Sequence, residues 1–379
     1  MEQNNKKIYS KSGADWCNLF SVPIVKMSDD QIYLDSPQYF IHGVFDLYKE
    51  DIHFIDALNE DQWNNLQRFN NSVLLHENQS ETFQIDYIAG QIKDIVEKKK
   101  INPNQIYILL VDELHVEALS VELFLKDITG INIDFYNKWL VETPIPQLEV
   151  KTTIKKFSAF SRRFHGDRIQ LFFELIKEDL LGKFNYSFNN IDPYTHKTYS
   201  LEEMQNEVRW DSNEYRDKLN GWLAGLPYRA NNNSDYNNIH SDSLTEAMLS
   251  SDIHLIIETH YTKIQNHPIA WLTEKTWRPI VCKKPFLTYS TPGALSYIRK
   301  SGFKTFSPYI DESYDGIADN THRRNAVVKE IKRISQLPDN EYQQLVNNCK
   351  IATEHNFQLL LEKKQRRLSV PFRNLGIFK

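Results

Sequence analysis

Ten consecutive residues, Trp271-Leu272-Thr273-Glu274-Lys275-Thr276-Trp277-Arg278-Pro279-Ile280, place a hydroxyl, a carboxylate and two cations within six positions. Apolar segments flank them. Ile253 to Ile257 reads as a short buried strand ending at Glu258, and Lys284-Pro285-Phe286-Leu287 opens another. Charged groups set where apolar elements end are held by the packing around them and so are positioned to meet a ligand. Thr276 to Val281 reads as a short helix that stops near Lys283-Lys284-Pro285. A lysine at a helix start opposes the helix dipole. The arrangement becomes favourable when an anion such as a diphosphate binds at the same helix end. A surface helix with an ordinary Glu and Lys fits the same spacing, and on spacing alone it is the commoner arrangement.

The elements that position these residues come from a chain of 379 residues, enough for two domains. Hydrophobic residues at 41% and charged residues at 25% give a globular composition, and no apolar run is long enough to cross a membrane. Met1 to Lys7 is polar, so no signal peptide is expected. Cys17, Cys282 and Cys349 stand far apart, which predicts a reducing, cytoplasmic setting and no zinc site. The net charge of −5 is uneven: within residues 360–379, Lys363, Lys364, Arg366, Arg367, Arg373 and Lys379 face only Glu362. An acidic body is a poor general binder of nucleic acid. The basic tail, residues 362–379, suits either packing of its apolar residues onto the body or a contact with nucleic acid or anionic membrane. Pro371 prevents one long helix there.

Along the chain, Phe40 to Leu47 and Ser72 to His76 read as strands, Asp86 to Lys100 as a helix, Gln105 to Val111 as a strand, Val116 to Ile128 as a helix and Ile131 to Tyr136 as a strand. That alternation predicts an open α/β sheet. Thr143-Pro144-Ile145-Pro146 marks a linker. A second series follows: strand Phe157 to Ser161, helix Asp167 to Leu181, extended Phe184 to Phe188, helix Ser243 to Ser250, then the strand and motif above. Lys284 to Tyr289 reads as a strand, Pro292 to Ser301 as a helix, Gly302 to Phe306 as extended, and Thr321 to Ser335 and Asn340 to Leu361 as helices. Asn231 to Asn238 reads as an exposed loop. With Gly at only 12 residues there is no G-x-G-x-x-G and no P-loop, and G-x-S-x-G, H-E-x-x-H and Asp-x-Asp are all missing.

Three stretches, taken in order, resemble glycosyltransferase family 10, the α1,3/α1,4-fucosyltransferases. They are Lys155-Lys156-Phe157-Ser158-Ala159-Phe160-Ser161 followed by Arg168; Leu255-Ile256-Ile257-Glu258-Thr259; and Trp271-Leu272-Thr273-Glu274-Lys275. The likeness covers roughly residues 155–300 and is confined to these motifs. Gly302-Phe303-Lys304-Thr305-Phe306 and Asp311-Glu312-Ser313-Tyr314-Asp315 look more like family-10-like proteins of phages and bacteria than like animal enzymes. The resemblance implies that Lys275 and Arg168 bind the diphosphate of a sugar donor and that Glu274 holds its ribose. It also implies that Trp271 neighbours the donor, and that Glu258 and Thr273 belong to the same donor-binding set. Trp stands where the family has Tyr, and Thr259 where it has Asn, which bears on the donor sugar and its base.

The residue chemistry agrees with these roles. Transfer from a nucleoside diphosphate builds negative charge on the leaving group, which fixed cations stabilise in a water-poor cleft. Arg grips two phosphate oxygens and Lys acts as a point charge. A salt bridge with Asp167 or Glu174 is the plain alternative for Arg168. Inverting transfer needs a base for the acceptor hydroxyl. The family places a Glu after an apolar strand of the first domain, and Val73-Leu74-Leu75-His76-Glu77-Asn78 fits, making Glu77 the candidate, with His76, Glu81 and Asp112 as rivals. Asp311, Glu312 and Asp315 could bind a metal or a sugar, but an acidic loop is usually solvated. Trp63, Trp139, Trp210 and Trp222 could stack on a sugar, but core is the commoner place for them.

The expected protein is an α/β, GT-B type glycosyltransferase with two Rossmann-like domains facing a central cleft. Residues 1–150 would bind the acceptor, 151–350 the nucleotide-sugar donor, and 351–379 would form a C-terminal helix and basic tail. The expected reaction is metal-independent, inverting transfer from a nucleotide sugar, GDP-linked by the resemblance, to a glycan or other hydroxyl, with no cofactor. Two alternatives stand beside it: a phage-type DNA glycosyltransferase acting on a hydroxylated base, and a non-catalytic glycan- or protein-binding module on a degenerate transferase fold.

Overall fold

The structure, a computed structural model, describes residues 8–10, 24–26, 39–44, 60–69, 73–78, 85–110, 113–136, 140–141, 143–146, 153, 155–161, 164, 166–191, 197–206, 215–230, 242–259, 261, 272–366 and 369–375. It is a mixed α/β protein with two parallel sheets, and it divides into two compact units. The first comprises Met1–Lys138, Ile264–Ile269 and Arg366–Lys379, the second Trp139–Lys263 and Ala270–Gln365. Each unit has its own apolar core.

In the first unit, Ile8–Ser10 (β1), Ile24–Lys26 (β2), Tyr39–Val44 (β3), Val73–Asn78 (β4), Ile106–Leu110 (β5) and Asn132–Phe135 (β6) form one sheet in the order β2-β1-β3-β4-β5-β6. Every pairing in it is parallel. Parallel neighbours need crossovers. Glu60–Arg68 (α1), Ile85–Lys98 (α2) and Glu113–Leu125 (α3) lie in those from β3 to β4, β4 to β5 and β5 to β6. Along α2, Ile85, Ile88, Ala89, Ile92 and Ile95 are buried at helical spacing, as its sequence pattern predicts.

The second unit begins with Lys155–Ser161 (β7), Gly166–Lys177 (α4) and Phe184–Phe188 (β8), followed by the helices Leu201–Asn206 (α5), Arg216–Ala224 (α6) and Asp242–Leu249 (α7). Ser251–Ile257 (β9), Glu274–Val281 (α8) and Phe286–Tyr289 (β10) come next. Ala294–Lys300 (α9), Asn320–Ser335 (α10) and Asp339–Lys364 (α11) close the unit, and Val370–Asn374 (α12) lies with the first. The sheet runs β10-β9-β7-β8 and is wholly parallel. β9 is buried at all but one position, as a central strand covered on both faces must be. From β7 the chain moves one way to β8, then returns across β7 to lay down β9 and β10. The order therefore reverses between β7 and β9, and doubly wound sheets bind ligands outside the carboxyl ends of the strands at such a reversal.

Three local details refine the sequence reading. The helix expected from Thr276 starts at Glu274, because Thr273 caps it with an extended backbone and a hydroxyl accepting from the Lys275 N–H. Gly302 to Phe306 joins no sheet. Its backbone is satisfied by Asn356 of α11, whose amide accepts from the Lys304 N–H at 2.7 Å and donates to the Lys304 carbonyl at 2.8 Å. As Pro371 implies, the tail is not one long helix: α11 ends at Lys364, and Pro371 sits in the first turn of the separate short α12, where its missing N–H is not needed. The loop at Asn231 to Asn238 lies outside the described residues.

Candidate functional site

Arg168, Glu258, Thr273, Glu274 and Lys275 gather at the end of β9. Glu258 follows the strand directly and is fully buried. Its N–H donates to the Tyr289 carbonyl at 3.1 Å, so β9 and β10 are still paired there. One carboxylate oxygen accepts from the Thr273 N–H at 3.1 Å and the Thr276 hydroxyl at 2.7 Å, and the other accepts from the Thr273 hydroxyl at 2.7 Å. A buried carboxylate needs such donors to offset its desolvation. Here they come from the first turn of α8, so Glu258 fixes where that helix begins. The Thr273 and Thr276 hydroxyls, three positions apart, face one strand-end carboxylate. The Thr-x-x-Thr spacing was the available signal for Thr276, which sequence reasoning left unassigned.

Lys275 is raised on this bracket. Its ammonium donates to the Thr259 and Thr273 hydroxyls at 3.1 Å each, lies 3.4 Å from a Glu274 oxygen and 4.0 Å from Glu258. Its side chain is 22% exposed, whereas those of Glu258 and Glu274 are 0% and 10% exposed, so Lys275 is the charge of this group that a ligand reaches most directly. Burial raises the Glu274 pKa, but the Lys275 and Arg278 charges outweigh it and hold the carboxyl below its ordinary value. Arg168, in the first turn of α4 and buried, donates through Nη2 to the Glu258 carbonyl at 3.3 Å. Glu174, one of the two salt-bridge partners considered for Arg168 beside Asp167, pairs with Lys177 at 3.2 Å. The guanidinium of Arg168 and the ammonium of Lys275 are thus both anchored on the two residues that follow β9, at the reversal of the sheet.

Glu77 is the fifth residue of β4, in register with Gly43 of β3 and Leu109 of β5, toward the carboxyl end of the first unit's sheet. His76 precedes it on the same strand. Trp271, Glu81, Asp112, Trp139 and Trp210 lie outside the described residues. Trp63 and Trp222 are buried in the cores of the first and second units.

In the acidic run after α9, Asp311 is exposed, whereas Glu312 and Asp315 are engaged by the backbone and face Arg299. Asp315 accepts from the Leu295 and Ser296 N–H groups at 2.9 and 3.1 Å, capping α9. Glu312 accepts from the Phe306 N–H and the Thr305 hydroxyl and pairs with Arg299 at 3.1 Å. Asp311 accepts from the Ser313 N–H at 2.9 Å. Among the described residues, no group of three His, Cys, Asp or Glu side chains is arranged to hold a metal ion. Among the same residues no helix is long and apolar enough to cross a membrane.

Cations of the basic tail bind the protein itself. Lys364 donates to the carbonyls of Leu140, Val141 and Thr143. Arg366 pairs with Asp134 and covers the Phe135 ring, and Phe372 is buried against Tyr107. For these described residues of 362–379, this is packing onto the protein, the first of the two arrangements weighed.

No family model matches the chain, and no curated protein matches it in sequence. A solved structure similar in part is that of a TarM mutant from S. aureus, in complex with Fondaparinux, alpha-GlcNAc-glycerol and UDP. The likeness covers 87% of this chain and 55% of that one, at 11% identity and a TM-score of 0.34, too distant to bear on fold or function here. The chain thus spans about half the length of that protein.

Proposed function

We propose that the protein is a glycosyltransferase that binds a nucleoside-diphosphate sugar on its second unit and transfers the sugar, with inversion, to a hydroxyl of a glycan. The observation that carries this reading is the pair of cations, Lys275 and Arg168, anchored on the residues that end β9 at the reversal of the sheet. A diphosphate placed there meets both, together with the N-terminal turn of α8, and the charge that grows on it as the sugar leaves is stabilised without waiting for solvent to reorganise. Two cations supply the counter-charge that a metal provides in other sugar transferases, so the reaction is read as metal-independent. Glu274 takes the ribose and Trp271 neighbours the donor. Glu258 and Thr273 act as positioning residues, because their polar atoms are already engaged in holding α8. Glu77 is the base that accepts the proton of the acceptor hydroxyl. A guanosine donor and a fucose-like sugar follow from the family-10 resemblance of the three motifs.

The test is thermal unfolding of the wild-type protein and Lys275→Ala with GDP, UDP, CMP and ADP and their sugars, each with and without Mg²⁺. One nucleoside diphosphate should stabilise the wild type by about 2.7 kcal/mol at a hundredfold excess over its Kd. The shift should be indifferent to Mg²⁺ and absent from Lys275→Ala. No shift with any nucleotide would remove the transferase reading and favour a binding module. With the donor known, Glu77→Gln should keep donor binding and lose roughly 10²- to 10⁴-fold in transfer rate.

A further inference from the structure

Two adjacent arginines in the first turns of α10 are used differently. Arg323 is buried, and its guanidinium donates to the carbonyls of Ser290, Ile317, Ala318 and Tyr261 and to the Asn320 side chain. All three of its nitrogens are engaged in holding the loops around it. Arg324 is also buried, at 4% exposed, yet its Nε has no hydrogen-bond partner among the described residues. Just past β10, the hydroxyls of Ser290 and Thr291, which are 2% and 8% exposed, are without partners in the same sense.

These groups share one neighbourhood. The Arg323 Nε bonds the Ser290 carbonyl at 2.9 Å, tying α10 to the end of β10. Tyr289, the residue before Ser290, has its phenol pKa raised by burial, against which the Arg324 charge and a hydrogen bond with its guanidinium act; the Arg324 Nε is the part left over. The Tyr289 carbonyl takes the Glu258 N–H, and the Glu258 carbonyl takes Arg168. Arg168 and Ser290 therefore flank the same strand end. Buried polar groups are nearly always paired, and a cluster of unpaired ones in a native site calls for a function. A guanidinium N–H with two hydroxyls matches an oxyanion.

We propose that Arg324, Ser290 and Thr291 form a second anion cradle beside the Lys275–Arg168 pair, which receives the distal phosphate of the nucleoside diphosphate. The proposal rests on the reading of the site as a donor site. It divides the labour: Lys275 and Arg168 meet the diphosphate from β9 and α8, and Arg324 closes on it from β10 and α10.

The experiment compares the affinities of wild type, Arg324→Gln, and the Ser290→Ala/Thr291→Val double variant for the stabilising nucleoside diphosphate, its monophosphate and inorganic pyrophosphate, by calorimetry. Arg324→Gln should weaken the diphosphate and pyrophosphate by about tenfold to a hundredfold, as for loss of a hydrogen bond to a charged group, and the monophosphate by much less. The double variant should unfold at or above the wild-type temperature without ligand, since it removes unpaired buried hydroxyls, and still lose diphosphate affinity. That second variant keeps the question open if Arg324→Gln fails to fold. Equal losses for mono- and diphosphate, or unchanged affinities in the double variant, would overturn the cradle. If no nucleotide binds the wild type, the donor reading fails by itself. The cradle then stands if pyrophosphate binds the wild type and is lost in the variants, and falls if it does not bind.

Discussion

Two buried carboxylates sit at strand ends, one in each unit, and they are used in opposite ways. Asp134 on β6 meets a cation directly. The Arg366 guanidinium reaches it at 2.5 Å, also donates to the Phe135 carbonyl and lies 3.6 Å from the centre of the Phe135 ring. The Ser369 N–H takes its other oxygen. The result is closure: the charge is neutralised and the C-terminal segment is tied to the sheet. Glu258 after β9 takes its short bonds from hydroxyls and an amide, and the nearest lysine stands off at 4.0 Å. Its helix start is fixed and its cation is presented. A buried acid at a strand end thus does not itself mark a site; the sign is the cation it leaves partly in reach.

Removing each acid is the strongest way to break this comparison. Glu258→Ala leaves an amide and two hydroxyls without their acceptor, at about 1–3 kcal/mol for each buried group left unpaired. The expected loss is on the order of 3 kcal/mol or more in chemical denaturation, with the nucleotide-induced thermal shift abolished. Asp134→Ala releases a guanidinium that is already 32% exposed and can turn to water, so the cost should be smaller. Its effect should appear as faster amide exchange in α12, with the nucleotide shift intact. Loss of the shift in Asp134→Ala would mean that the two acids do not divide the work in this way.

Much of the scaffold was legible because parallel strands buried on both faces read as apolar runs. Phe184 to Phe188 is a strand with the bounds expected, and β7, β9 and β10 lie within two residues of theirs. The motif's cluster was legible too, since a hydroxyl, an acid and a lysine in succession beside a strand can be brought together locally. What sequence could not supply was long-range pairing. Nothing around Gly302 announces that Asn356 would satisfy its neighbours. Nothing in Arg323-Arg324 tells which arginine is used for structure. Short elements also escaped: β1 and β2 have three residues each, too few for a period to show. In the acidic run, composition suggested solvation, whereas Asp315 and Glu312 cap and clasp the backbone.

Acid should sharpen the contrast from the second unit's side. His254 lies buried on β9, with Nδ1 2.9 Å from the Ser158 hydroxyl, which in turn accepts from Ser251 at 2.7 Å. Burial, and then the Arg278 charge, push its pKa down to about 3. The unfolded chain binds a proton at this ring below roughly pH 6.5, whereas the folded one does not until near pH 3. In that window the unfolded state holds more protons, so stability rises with pH and falls on acidification, by at most about 1.4 kcal/mol per pH unit. Urea unfolding followed through Trp222 and Trp277 fluorescence between pH 7.5 and 5 should show this slope, and His254→Gln should flatten it. An equal slope in the variant would assign the acid sensitivity to other groups.

The smallest expected effect is the most discriminating. Lys275→Ala, measured without ligand, removes two hydrogen bonds to hydroxyls and a pairing with Glu274, but it also removes a positive charge from a helix start. A partly exposed ion pair contributes about 0–1 kcal/mol, so the change in unfolding free energy should stay below roughly 1 kcal/mol. Lys364→Ala, by contrast, leaves the carbonyls of Leu140, Val141 and Thr143 without their shared donor and should cost more. A lysine that serves the fold shows its value in the empty protein, whereas one held out for an anion shows it only when the anion is bound. A large loss of stability in unliganded Lys275→Ala would place it with Lys364 and remove the distinction between closing and presenting a charge.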